Sequence, residues 1–447
     1  LVRHLRERRV VEQRVEALEQ RLSPASVQRR AVVGERAGQR VEVAMFDAAS
    51  GVHVVTGAPG DDHDGLNSAG SVRFYYRNIS AQWGEADWLT ITASDATANA
   101  RFGHAVAASS PNIVVGAPAA STWGKVYVYH QFGPQFVEHI LPYSGGVNGS
   151  DSFGEAVAID GSWIVAGAPD YDSVTPGLTI TDIGRTAFYK WDSNADVWTL
   201  QTLHAIPNTS VQFQSEGSAV AISGDRAASG AYLYGAPGEP SQHGGVYIFD
   251  RSGNNWSARP VLWPSDIEAA AWFGASVAMD GSFLVVGAPK ADLQPGIDPV
   301  TQYKADAGSV YIYRFDANNA AVLEAKITAA DAAPGDLFGT SVSLKNGLLV
   351  VSSSNAEKAY VFRRVAAGKW SQFATMSDPD GPNSFAYGTT QTVATQGQYV
   401  AIGDKYDNAG GIIAGAVYVM EPTAAYGDTC DAAVPVQIGN YGGCTTF

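Results

Sequence analysis

Three carboxylates and an imidazole stand side by side at Asp61-Asp62-His63-Asp64, with Gly65 behind them. Closely spaced aspartates ahead of a turn-forming glycine are how a calcium loop begins, because Ca²⁺ takes six to eight hard oxygen ligands. The bidentate Glu that closes such a loop is missing. Asp61, Asp62 and Asp64 are therefore a candidate metal site with an incomplete donor set, and calcium is the one cofactor the residues suggest. Other reactive groups are sparse. The eight His are scattered, and His104 follows Phe102-Gly103 at a position that is Glu, Ala or Thr in sister segments, which reads as a tolerated surface or rim position. No Gly-x-Ser-x-Gly elbow and no phosphate loop is present. The two cysteines, Cys430 and Cys444, are too few for a cysteine-based zinc cluster and are spaced for a local disulfide. Asn78, Asn148, Asn208 and Asn255 each open an Asn-x-Ser/Thr glycosylation sequon.

The elements that must position these residues come from a repeat. One unit runs Phe273-Gly-Ala-Ser-Val-Ala-Met, Asp280-Gly, Ser-Phe-Leu-Val-Val-Gly-Ala-Pro289, then Gly308-Ser-Val-Tyr-Ile-Tyr-Arg314 and Ala321–Thr328. Asp-Gly between two apolar runs is a hairpin signal, and Val, Ile, Tyr and Phe fill the runs as strands prefer. The third strand recurs at Val72–Tyr76, Lys125–Tyr129, Thr186–Trp191, Gly245–Phe249, Ser309–Tyr313, Lys358–Phe362 and Ala416–Met420. The second strand ends in Gly-Ala-Pro at Gly57, Gly116, Gly167, Gly235 and Gly287, and degrades at Val351-Ser-Ser and Ile402-Gly-Asp. Phe-Gly opens the unit at Phe102, Phe153, Phe273 and Phe338, and is altered at Glu216-Gly217 and Tyr387-Gly388. Trp88, Trp198, Trp256 and Trp370 open fourth strands. Four-stranded sheets repeated this way bury both faces by packing around an axis. The expectation is an all-β, seven-bladed β-propeller of four-stranded antiparallel blades with a short N-terminal helix. The glycine of Gly-Ala-Pro is expected to let neighbouring backbones approach, and the proline to end the strand.

Across residues 41–422 the chain resembles the FG-GAP repeat family, the propeller type of integrin α-subunit heads. The resemblance implies a propeller used for adhesion or ligand binding outside the cell. It does not carry over the family's calcium sites between first and second strands. Here those connections are short hairpins such as Ile159-Asp-Gly-Ser and Met279-Asp-Gly-Ser, too small to supply six oxygens. The compact form is similar to repeats of microbial and algal surface proteins.

Carboxylates gather instead in two loop sets expected on one face. After the second strands come Asp61–Asp64, Asp170, Asp172, Asp292, Asp404 and Asp407. After the fourth strands come Asp95, Asp151, Asp266, Asp331, Asp336, Asp378 and Asp380. Two readings stand open: solvated turns in which Asp bonds its own backbone, or a face for cations or a basic partner. The charge distribution bears on this. Residues 1–40 hold ten Arg and five Glu, a net +5, and the rest of the chain carries −20. An acidic body argues against nucleic acid, and no apolar run is long enough for a membrane span. No apolar stretch follows Leu1–Arg9, so a secretion signal is expected outside this sequence.

Residues 1–28 read as a basic helix and linker, with Val11, Val15, Leu18 and Leu22 on one stripe and Ser23-Pro24 as the stop. Residues 29–424 form the propeller. Ala31-Val-Val33 is favoured as the outer strand of the last blade, with Val434–Ile438 as the competing closure. Residues 425–447 look like the opening of a further β-sandwich domain. The sequence supports an extracellular or cell-surface, non-catalytic adhesion, scaffold or assembly module that binds protein or glycan partners through its loops. Self-assembly of the basic helix on the acidic face is a further expectation. The alternatives are a glycan-acting enzyme at the central funnel and a calcium-stabilised structural propeller in a filament.

Overall fold

The computed structural model describes residues 30–32, 42–48, 51–77, 83–132, 135–146, 149–175, 178–206, 213–235, 242–293, 303–377, 393–397, 399–404 and 416–420. These residues form an all-β propeller of four-stranded antiparallel sheets. Six blades are built from strands consecutive along the chain, apart from one inserted hairpin in blade 3: blade 1 (42–91), blade 2 (105–140), blade 3 (157–205), blade 4 (216–258), blade 5 (276–327) and blade 6 (338–377). The expected seven blades are thus corrected to six, because the remaining four-stranded sheet is composite. Val393–Thr395, Val400–Asp404 and Ala416–Met420 supply three strands, and Arg30–Val32 from the other end of the chain pairs with the last of them. Ala31 stands opposite Val417. The last repeat alone has no fourth strand among the described residues, so a segment from far away in sequence completes its sheet.

The first strands pack one against the next, and that of the composite sheet packs against blade 1, which closes the ring. Burial peaks in the second strands and is lowest in the outer ones. Asn112–Ala117 is buried along its whole length, whereas the outer strand Gln135–Ile140 alternates between exposed and half-buried residues. Inner strands are covered on both faces by neighbouring blades, so they read as unbroken apolar runs; outer strands are half solvated and alternate. Each interface has its own core. Phe74, Phe102, Val115 and Tyr127 join blades 1 and 2, and Val43, Val54, Ala401 and Val417 join blade 1 to the composite sheet.

Two backbone devices recur at the seams. The amides of Phe102, Phe153, Phe273 and Phe338 donate to carbonyls of the preceding blade at Ala69, Trp123, His243 and Ala307, at 2.7–3.0 Å. At the Phe102, Phe153 and Phe338 seams and at the Glu216 seam, the glycine ending a second strand lies against a glycine of the next blade: Gly57 on Gly103, Gly116 on Gly154, Gly287 on Gly339 and Gly167 on Gly217. A Cβ there would overlap a carbonyl oxygen. Close backbone approach is thus what Gly-Ala-Pro provides. In blade 4 the glycine in this place is Gly230, against Gly274, and the strand Arg226–Ala231 ends before Gly235. The Gly-Ala-Pro beginning at Gly235 is therefore not the end of that strand. The seam selects the glycine that faces Gly274, whatever tripeptide follows.

Residues 1–22, with their expected helix, and residues 425–447, with Cys430 and Cys444, lie outside the described residues. So do Asn78, Asn148, Asn208 and Val434–Ile438. Among the described residues there is no helix. Asn255 is exposed at the start of the outer strand of blade 4.

Candidate functional site

The loop aspartates divide by what they touch. In blades 1, 3 and 5 an aspartate stands five residues after the seam glycine, at Asp62, Asp172 and Asp292. Its carboxylate accepts the amide of Ser68, Asp182 or Asp306, at 2.7, 2.9 and 2.9 Å. Those three donor residues all have φ near +50°, so the carboxylate fixes a left-handed bend two residues before the third strand's opening glycine. The neighbours are also committed within the loop. Ser71 Oγ donates to Asp61 at 2.7 Å, and His63 Nδ1 lies 3.1 Å from the carboxylate of Asp64. Asp61, Asp62 and Asp64 share a loop but bond different groups. Among the described residues, no three His, Cys, Asp or Glu side chains gather as metal ligands.

Three aspartates of the loops after the fourth strands are matched to cations, whereas Asp151 accepts Tyr143 Oη and Gly146 N, and Asp336 accepts Ala333 N. Asp95 bonds Lys125 and Tyr127 Oη (2.7 Å), and Asp331 bonds Lys358 and Tyr360 Oη (2.9 Å). Both pairs follow one rule, a Lys-x-Tyr at the start of the next blade's third strand. Asp266 uses Lys326 at 2.8 Å from the fourth strand of blade 5. Burial pushes Asp95 and Asp331 upward, but the Lys and Tyr bonds outweigh it and hold both carboxyls below their ordinary value. A depressed folded pKa gives stability that is present above the unfolded value, near 3.9, and lost as pH falls through the folded one. The double variant Asp95→Asn/Asp331→Asn is thus expected to melt below the parent at pH 7, with the gap closing below about pH 4. Melting curves across pH 2–8 check this, and a gap constant with pH would contradict it.

Blade 3 and its neighbours differ. His104 and Glu155, which directly follow Phe-Gly at the heads of two adjacent first strands, meet at 2.9 Å (Nε2–Oε2). His104 is buried, so the expectation of a rim position is corrected: the residue closes an ion pair across a blade seam. Beside them Ser152 Oγ donates to Asp170 at 2.6 Å. Asp170 is held above its ordinary value by partial desolvation and by the like charges of Asp182, Glu155 and Asp151. Asp182 is raised by burial and by Asp172. Arg185, the counterpart of Lys125, is turned away, its guanidinium 3.4 Å over the Tyr171 ring and donating to Ser144 O. The result is a patch over blades 2–4 where burial and neighbouring carboxylates together raise Asp170 and Asp182.

The FG-GAP repeat family model matches residues 87–129, 256–313 and 322–362. The chain is an FG-GAP repeat propeller. Each matched repeat starts on the outer strand of one blade and ends on the third strand of the next. The FG-GAP unit is therefore one strand out of step with the blade and contains a complete seam. No curated protein matches the chain. Among solved structures it is similar to a periplasmic gluconolactonase of Pseudomonas aeruginosa, with 13% identity, 78% of this chain and 98% of that one covered, and a TM-score of 0.49.

One seam breaks the FG-GAP pattern. Where four repeats have a fully buried Phe, blade 4 has Glu216, also fully buried. Its Oε1 accepts Thr186 Oγ1 at 2.7 Å and His204 Nδ1 at 2.8 Å, and Thr186 Oγ1 lies 2.7 Å from Ser229 Oγ. Thr186 and Ser229 stand where blade 2 has Val126 and Val115. At the Phe102, Phe273 and Phe338 seams the ring meets a third-strand tyrosine edge-on, as Phe102 meets Tyr127 at 5.3 Å, while Phe153 stacks on Tyr143. Here the ring comes from the preceding blade: His204 sits 5.3 Å from Tyr247 and 5.0 Å from Phe249. The sequence showed the altered Glu216-Gly217, but the compensating histidine lies on another blade's outer strand.

Proposed function

We propose that this FG-GAP propeller is a non-catalytic binding module, extracellular or at the cell surface, that recognises a basic segment of a protein partner over blades 2–4. The observation that carries the reading is the contrast within one loop face. Asp95, Asp266 and Asp331 each hold a lysine of the same chain, whereas Asp170 and Asp182 are raised by burial and, after it, by neighbouring carboxylates. A cationic ligand relieves that crowding, and the surrounding acidic field steers its approach. Residues 1–40, with a net +5, are a partner of this chemistry carried by the chain itself.

The test is titration of a peptide of residues 1–28, which leaves out the ring-closing strand Arg30–Val32, against the propeller at low and high salt. Parent protein is expected to bind at low salt, and Asp170→Asn/Asp182→Asn to weaken binding at least tenfold. Equal affinity of parent and variant would refute the assignment. Melting with calcium or chelator tests Asp61, Asp62 and Asp64 separately, since a bound ion raises the melting temperature. A second reading, a glycan-acting enzyme at the funnel, draws on the His104–Glu155 pair beside Asp170, a carboxyl held above its usual range. Turnover of a glycan substrate that vanishes in Asp170→Asn would favour it over the binding module.

A further inference from the structure

The blade 3–blade 4 seam has the same backbone frame as the others. Glu216 N donates to Ile183 O at 3.1 Å, and Gly184 pairs with Glu216 as Gly124 pairs with Phe153. Only the filling differs. Elsewhere the wedge is an aromatic ring in an apolar pocket. Here it is a carboxylate and an imidazole drawn from two blades, with hydroxyls of Thr186 and Ser229 in place of methyl groups. Apolar filling does not respond to pH; this filling does.

We propose that the Glu216–His204 pair makes this seam a proton-operated latch, closed while the pair holds a proton and loosened when that proton leaves. The electrostatics of the pocket follow from its contents. Glu216 Oε2 is buried without a hydrogen-bond partner among the described residues, so the carboxylate depends on what meets Oε1. The groups facing the pair are Thr186 and Ser229, which are neutral, the rings of Tyr247 and Phe249, and the phenol of Tyr247, which stays protonated because burial and Glu216 push it well above its usual range. Among the described residues His204 is thus the only cation in contact with Glu216. When it loses its proton, a buried carboxylate remains without a countercharge, a condition that strongly destabilises buried pairs.

The sign follows. Burial pulls the imidazolium down, but the charge and hydrogen bond of Glu216 outweigh it, and His204 titrates above its ordinary value near 6.5. A raised folded pKa gives stability that is full below the unfolded value and lost as pH rises through the folded one. The latch is closed under mildly acidic conditions and loosens toward alkaline pH. What it releases is specific. Gln214 N and Ser215 N both donate to Asp182 O, at 2.9 and 3.0 Å, and Phe213 N donates to Thr181 O. The seam therefore holds the loop that carries Asp182 into the acidic patch.

Amide hydrogen exchange, read as protection relative to intrinsic rates at pH 6 and pH 9, tests the latch. The amides of Gly184, Ser215 and Glu216 are expected to lose at least tenfold in protection at pH 9, while the Phe273 and Phe338 seam amides keep theirs. Glu216→Gln is expected to remove the pH dependence. His204→Gln, which keeps a donor but no titrating proton, is expected to show low protection at both pH values. Glu216→Phe/His204→Thr restores the apolar filling and is expected to give a pH-independent, fully protected seam, so a folding defect in a single variant leaves the test intact. Equal pH response at all seams, or pH dependence surviving Glu216→Gln, would overturn the proposal. Exchange is read without any ligand, so the outcome is separate from whether the acidic patch binds a basic partner.

Discussion

Gly116→Ala is expected to destabilise the propeller by roughly 3 kcal/mol, toward the upper end of what overpacking costs. The new methyl group would overlap Gly154 O, and the obstacle is backbone rather than a side chain that could turn aside. Gly116 is held in its ladder between Ala105 and Val126, and Gly154 N is tied to Gly167 O, so relief means separating blades 2 and 3. Gly116 does not have a positive φ, so the penalty is one of space alone. The matched control is Gly161→Ala. Gly161 has φ +54° but open space around the position of a Cβ, and the left-handed conformation costs only about 1–2 kcal/mol. Denaturant unfolding of both variants decides the matter. A smaller loss for Gly116→Ala than for Gly161→Ala would mean that the seams are not close-packed at glycine.

Phe273→Ala should rank with it, at about 3–5 kcal/mol, the usual cost of removing a buried aromatic ring. The side chain is completely buried, meets Tyr311 edge-on at 5.4 Å and Tyr313 at 6.4 Å, and belongs to the core joining blades 4 and 5. Its own amide makes the seam bond to His243 O. The variant keeps that bond and loses the ring, so the measurement separates side-chain packing from backbone pairing. Phe273→Leu, which fills much of the volume, should cost no more than about 1.5 kcal/mol. If alanine costs as little as leucine, the backbone staple holds the seam and the ring is incidental.

The blade frame was readable because its signals are local: Asp-Gly turns, apolar runs of strand length, and glycine where two backbones touch. Four of the five Gly-Ala-Pro assignments rest on glycines that do face a neighbouring glycine. The fifth failed at Gly235 because the partner, Gly274, lies on another blade and admits Gly230 instead. The same distance hid the rest of the site. Asp62, Asp172 and Asp292 share one offset from the seam glycine, a regularity available in the sequence that marks them as backbone caps. Nothing local ties Asp95 to Lys125, His104 to Glu155 or Glu216 to His204, because each pair joins two blades. Acidic loops therefore looked uniform in the sequence, and only the fold separates the neutralised aspartates from the crowded ones.

The pairing of Arg30–Val32 with Ala416–Met420 sets an order of events for the nascent chain. Six blades can form as they are synthesised, since their contacts lie within a blade or with the one before it. Ring closure must wait until the strand around Val417 is complete. Until then blade 1 and blade 6 each present an uncovered inner face, and the strand at Arg30–Val32 has no partner. Joining such distant segments adds little entropy cost, because closure entropy grows only with the logarithm of the span. The cost is one of exposure time: an arc of blades with two sticky ends can join another chain's arc as readily as its own. Fast late synthesis, or a factor that shields those faces, thus decides how much of the protein becomes a closed monomeric ring.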